Sequence, residues 1–100
     1  MPKTIETKFE ISKIPGPFGI IVETTSFKVY SLGSQWKVQE EEVLFQDDEV
    51  NVTIVIRGQL GQEYEMTMTI NSVGKEIKGK LIKNGLNRIP RTYKLSSFNP

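Results

Sequence analysis

The sequence predicts an all-β chain forming one domain over residues 1–100: a small antiparallel meander of about seven or eight strands rolled into a barrel, with a two-sheet β-sandwich as the alternative way to bury the same face. Two observations predict this. Apolar and polar residues alternate along most of the chain, as in Tyr64, Met66, Met68 and Ile70, which is the period of a strand with one buried face. No segment shows an apolar stripe at helical spacing, so no helix can cover a sheet, and the sheet must cover itself.

Residues 4–12 and 18–31 are the first two predicted strands, separated by Lys13-Ile14-Pro15-Gly16-Pro17, whose two prolines restrict the backbone. Within 18–31 the alternation changes phase between Ile20/Val22 and Phe27/Val29, which places a bend near Glu23 to Ser26. The third strand, 35–45, changes phase between Val38 and Val43; one extra residue in Glu40-Glu41-Glu42 repairs it as a β-bulge. Such bends curl a meander towards closure. Gln46-Asp47-Asp48-Glu49 then turns into strand 49–57, pairing Phe45 with Val50 and Val43 with Val52.

Gly58 to Gln62 fits a short hairpin loop with Gly61 free to take positive φ. Strand 62–71 then pairs with 49–57, setting Arg57 opposite Glu63, Ile56 opposite Tyr64, Ile54 opposite Met66, Val52 opposite Met68 and Val50 opposite Ile70. The turn Asn71-Ser72-Val73-Gly74 leads to strand 75–83, with Met68 beside Ile77, Met66 beside Gly79, Tyr64 beside Leu81, and Glu65 opposite Lys80. Asn84-Gly85 signals the last turn. Strand 88–97 is predicted to face Ile89, Arg91 and Tyr93 inwards, against Leu81, Gly79 and Ile77, with Glu76 against Lys94 outside.

This register leaves a gap, because Gly79 stands where a core side chain belongs, next to an inward Arg91. A buried guanidinium is unfavourable without hydrogen-bond acceptors. Glu40 or Glu41 from across the barrel, water in a cavity, or an anionic ligand could accept. Alternatively the arginine lies at a rim, its stem over Gly79 and its head in water. Tyr93 projects from the same face and can share an acceptor with Arg91. The candidate ligand-binding residues are therefore Arg91, Tyr93, Met66, Gly79 and Tyr64. Met66 and Met68 suit a pliable pocket but also read as plain core, and Trp36 reads as core capping one end.

Arg91-Thr92-Tyr93 resembles the Arg-x-Tyr motif on the last strand of intracellular fatty-acid-binding proteins. The resemblance implies a calycin-like barrel in which Arg91 and Tyr93 hold a ligand carboxylate. It covers only this motif and the general meander. The chain departs from that family in being shorter and in having only Ser12 to Pro17 where a helix pair would stand. The Gly-x-Trp signature of the lipocalins is also absent, since Gly33 precedes Trp36 by three residues.

Composition narrows the function classes. The chain has no histidine and no cysteine, so the usual bases and nucleophiles are missing, no disulfide or thiol site can form, and the expectation is a non-enzyme without catalytic residues or cofactor. Acids dominate residues 40–65 and bases residues 75–94, while the net charge is only +1, which argues against nonspecific nucleic-acid coating. Lys78, Lys80 and Lys94 lack interleaved exposed aromatics, which also argues against nucleic acid. Glu40-Glu41-Glu42 and Asp47-Asp48-Glu49 do not have calcium-loop spacing, so no metal site is expected. No long apolar run and no N-terminal signal segment is seen, so no membrane span and a cytoplasmic location are expected.

The loop Lys13 to Gly19 offers a further candidate: Ile14, Pro15, Pro17 and Phe18 form either a preorganised contact for a protein partner or an apolar plug over the barrel mouth. Two functions follow from these readings. One is a small binding barrel for a compact apolar or anionic molecule anchored by Arg91 and Tyr93. The other is a protein-interaction module, such as an inhibitor, adaptor or assembly subunit, with a filled core.

Overall fold

Alternating residues form strands that turn the expected side chains inwards, but those strands find different neighbours. The structure, a computed structural model, describes residues 2–99. Its strands are β1 (Lys3–Lys13), β2 (Phe18–Val22), β3 (Thr25–Ser26), β4 (Val29–Leu32), β5 (Gln35–Val38), β6 (Glu41–Phe45), β7 (Glu49–Gly58), β8 (Glu63–Ile70), β9 (Val73–Lys80) and β10 (Gly85–Lys94), followed by a 3-10 turn at Leu95–Phe98. One four-stranded sheet has the order β6-β1-β8-β9 and a second the order β10-β7-β2-β3, with β4 and β5 as a separate hairpin. Every pairing is antiparallel. Neither sheet closes on itself, so the expected meander barrel is corrected to the sandwich that stood as its alternative.

The physical reason lies in the connections. A meander needs each loop to return the chain to its hydrogen-bonded neighbour, whereas four of these loops carry it to the opposite sheet. The Gly58–Gln62 segment, expected as a β7–β8 hairpin, is the clearest case. Gly61 N–H donates to the Leu81 carbonyl at 2.9 Å and Leu81 N–H to the Gln62 carbonyl at 2.8 Å, so the loop is tied to the end of β9. The other flank is taken as well, since Arg57 N–H donates to the Pro17 carbonyl. β7 accordingly lies between β10 and β2, and the expected partners of Ile54 and Ile56 on β8 are replaced by Ile89 and Asn87 on one side and Ile20 and Phe18 on the other. Likewise Gln46 to Asp48 links the sheets instead of closing a hairpin, because β6 pairs with β1. β10 pairs with β7 and not with the strand over 75–83.

Only β8 and β9 keep their expected partnership, displaced by two residues: Met66 faces Ile77, Tyr64 faces Gly79 and Glu65 faces Lys78. Asn71 and Ser72 both have positive φ, 54° and 64°, which makes the turn a two-residue type I′ connection and draws Val73 into the strand. A two-residue slip preserves the face of every side chain, so the inward set survives.

Both expected phase changes are real but have other causes. Glu23, with φ 55°, and Thr24 turn β2 back onto β3, so a hairpin stands where a bend was expected. The bulge expected at Glu40 to Glu42 is a break at Gln39-Glu40, where the chain leaves the β4–β5 hairpin and enters the first sheet. At the C-terminus the expected strand to residue 97 ends at Lys94. Asp48 captures the chain there: its carboxylate accepts from Ser96 N–H at 2.7 Å and Ser96 Oγ–H at 3.0 Å, and its carbonyl accepts from Leu95 N–H at 2.6 Å.

The core is one cluster between the sheets, including Phe45, Ile54, Met66, Met68, Ile70 and Phe98, all fully buried. Interior packing of this kind is as dense as an organic crystal, so small changes in volume are felt.

Candidate functional site

The inward parity of β10 is as expected. Asn87 and Ile89 are buried, Arg91 and Tyr93 are half-buried, and Arg88, Pro90 and Thr92 are exposed. What meets Arg91 differs. Its Nη2 donates to the Tyr64 hydroxyl at 3.1 Å, across from the other sheet, and its Nη1 donates to the Pro90 carbonyl at 2.8 Å. Glu40 and Glu41 are not its acceptors: Glu40 lies 4.0 Å from Lys8, and Glu41 pairs with Thr7 at the edge of the first sheet.

Tyr64 also accounts for Gly79. The two are cross-strand partners, and a Cβ at Gly79 would stand 2.6 Å from the Tyr64 hydroxyl oxygen and 2.9 Å from its Cζ. The missing side chain makes room for the tyrosine ring, which then presents its hydroxyl to Arg91. Gly79, Tyr64 and Arg91 are thus brought together, with Tyr93 in the same field. Burial pushes the Tyr93 phenol above its ordinary value and the Tyr64 hydroxyl pushes in the same direction, while the Arg91 charge opposes them. Met66 is not part of this group; it is fully buried and paired with Ile77. The depression that reaches Gly79, about 410 Å³, is lined by the outward Lys13, Glu63, Glu65, Lys78 and Lys80.

The proline loop is pinned to the sandwich. Ile14, Pro15 and Phe18 are half-buried and Pro17 is exposed. A Cβ at Gly16 would overlap the Arg57 carbonyl oxygen, so the loop backbone lies directly on the end of β7. Ile14 and Phe18 pack against the core, and Phe18 meets Trp36 edge-on with centroids 5.8 Å apart, but Trp36, expected as core capping one end, is 37% exposed on the β4–β5 hairpin.

A second feature was not singled out from the sequence. Antiparallel registers bring the end of β1, the start of β2, the end of β7, the start of β8, the end of β9 and the start of β10 to one end of the sandwich. There Leu60, Ile82 and Leu86 are 64%, 82% and 51% exposed. Trp36, touching Phe18, directs the β4–β5 turn to the same end, and Leu32 beside that turn is 65% exposed.

These loops are organised from within. Buried Asn87 accepts from Ile82 N–H and donates to the carbonyls of Lys83 and Gly85, while Asn84 Oδ1 accepts from Leu60 N–H at 2.8 Å. A buried asparagine with its hydrogen bonds met fixes a loop at little further ordering cost. Leu60, Ile82 and Leu86 sit in or beside loops, where alternation carries no signal. An apolar residue next to Gly61 or Gly85 was the available clue.

No protein family, curated protein or solved structure matches this chain. The site therefore rests on its own geometry. Among the described residues no group of acidic side chains could hold a metal ion, and no helix is long and apolar enough to cross a membrane.

Proposed function

We propose that this chain is a non-catalytic interaction module, a sandwich with a filled interior that binds through the loop end carrying Leu32, Leu60, Ile82 and Leu86. One observation carries the reading. Four large aliphatic side chains, each more than half exposed, gather at one end of a domain whose other apolar residues are largely used in its core. Scattered exposed apolar residues are ordinary, but a gathered group on organised loops marks a contact surface. The internal hydrogen bonds of Asn84 and Asn87 support this, because a surface held ready loses less freedom on binding. The alternative of a ligand pocket at Arg91 has less support, since Tyr64 occupies the space beside Gly79 and accepts the arginine's bond.

The test is site-specific photo-crosslinking in a whole-cell lysate that retains membranes. A photoreactive residue at position 82 or 60 is expected to give adducts that one at position 44 or 21, exposed on strands elsewhere, does not. Equal labelling at all four positions would remove the loop end as the working surface.

A further inference from the structure

We infer that the partner of this loop end is an anionic lipid surface, into which the aliphatic loop tips insert while a basic collar meets the headgroups. The inference rests on the interaction-module reading above and names its partner.

Charge complementarity separates a bilayer from other occupants. The segments that form this end, residues 13–18, 32–37, 57–65 and 78–88, contain Lys13, Lys37, Arg57, Lys78, Lys80, Lys83 and Arg88 against two acids, Glu63 and Glu65. Glu63 is already engaged by Lys13 at 3.3 Å. The whole chain carries only +1, so the end is strongly basic and the remainder of the molecule is acidic. The far end carries Lys3, Lys75 and Lys94 beside Glu23, Asp47, Asp48 and Glu49 and is close to neutral, so the basic loop end alone gives the molecule a charge direction that would orient it towards an anionic plane.

The order of chemistry along the domain axis agrees. Leu60 and Ile82 stand in the loops with Lys83 beside them, whereas Arg57, Lys80 and Arg88 stand on strands two or three residues back. An extended residue spans about 3.3 Å, so these three cations trail the tips by at most roughly 6–10 Å. Interfacial segments bury their apolar side chains to about that depth, which leaves the cations level with the phosphates. Tyr30 and Trp36, both exposed on the adjoining hairpin, are the amphipathic residue types favoured at such a boundary. A protein partner would be expected to meet a rim of both signs, and a nucleic acid would be expected to meet stacking aromatics at the tips, where aliphatic side chains stand.

The experiment is co-sedimentation of the full chain with vesicles of phosphatidylcholine alone or with one third phosphatidylserine, at low and high salt. The expected result is binding to the phosphatidylserine vesicles that weakens steeply with salt. Leu60→Asp or Ile82→Asp is expected to weaken it by at least about tenfold. Lys83→Ala and Arg88→Ala are each expected to weaken it by about fivefold. Leu44→Asp, on an exposed strand position away from this end, is expected to bind as the parent does. Circular dichroism of each variant checks that the fold is retained. Parent protein that sediments equally with both vesicles, or a Leu44→Asp loss equal to that of Ile82→Asp in folded protein, overturns the inference. Crosslinks from position 82 to protein alone would also overturn it while leaving the interaction-module reading standing; failure of both assays removes both.

Discussion

At the scale of single residues, Gly79 is explained by its neighbour and not by backbone freedom. Tyr64 lies over it from the adjacent strand, an arrangement in which an aromatic ring covers a strand glycine. Gly79→Ala therefore gains a little strand propensity but drives a Cβ into a buried ring. Overpacking of this kind costs about 1–3 kcal/mol, and the Arg91 to Tyr64 bond is displaced with it. In the Tyr64→Leu background most of the alanine's cost is expected to disappear, giving an interaction energy of at least about 1 kcal/mol between the two sites. Urea denaturation of the four proteins measures this. Additive costs would mean that something other than the tyrosine holds position 79 open. The gap at Gly79 and the inward arginine were both legible in the sequence. Tyr64 was legible as an inward candidate beside them, but its place opposite Gly79 was not, because that register depends on a turn two residues tighter than the one expected.

That turn is the natural test at the scale of elements. Asn71 and Ser72 both occupy the left-handed region that a type I′ hairpin demands. Asparagine tolerates it; serine does so at a cost of about 1–2 kcal/mol, against roughly 0.5–1 kcal/mol of extra chain entropy for glycine. Ser72→Gly is expected to stabilise the domain by about 0.5–1 kcal/mol, seen as a higher urea midpoint with unchanged slope. A lower midpoint would show that Ser72 makes a compensating contact. The β8–β9 pairing is also the one expected partnership that the structure keeps, two residues displaced, and the reason is local. A short turn leaves its flanking strands little choice but to pair, whereas the longer Gly58–Gln62 and Leu81–Asn84 segments can bridge two sheets.

At the scale of the whole molecule, a sandwich has two open ends and this one treats them differently. The end carrying Asp47 and Asp48 is sealed by the C-terminal 3-10 turn, which drops Phe98 fully into the core, edge-on to Tyr93 and with the Lys75 ammonium 5.1 Å from its ring centre. At the opposite end Ile14 and Phe18 of the proline loop pack against the core, with aliphatic side chains left outside. Phe98→Ala is expected to cost about 3–5 kcal/mol. Asp48→Ala, which frees the turn but leaves Phe98 in the chain, is expected to cost about 1 kcal/mol because its hydrogen bonds are solvent-exposed. Chemical denaturation distinguishes the two, and a neutral Phe98→Ala would mean that the C-terminal turn is an ornament on a core complete without it.

What the sequence determined by itself was the orientation of side chains. Parity alone placed Tyr64, Met66, Met68, Ile70, Ile77, Ile89, Arg91 and Tyr93 on the inner faces, because in a strand the side-chain direction is set by covalent geometry within that strand. It also excluded helical layers and located both breaks in phase. The choice of neighbour was decided only in the tertiary structure. Alternation reads the same whether the next strand lies about 4.8 Å away in the same sheet or about 10 Å away across the core. Backbone groups such as those of Gly61, Gln62 and Leu81 make that choice through hydrogen bonds between residues distant in the chain. The exposed end followed from the same long-range pairings: Leu60, Ile82 and Leu86 come to one end only when Asn84 is bound to Leu60, 24 residues away in the chain.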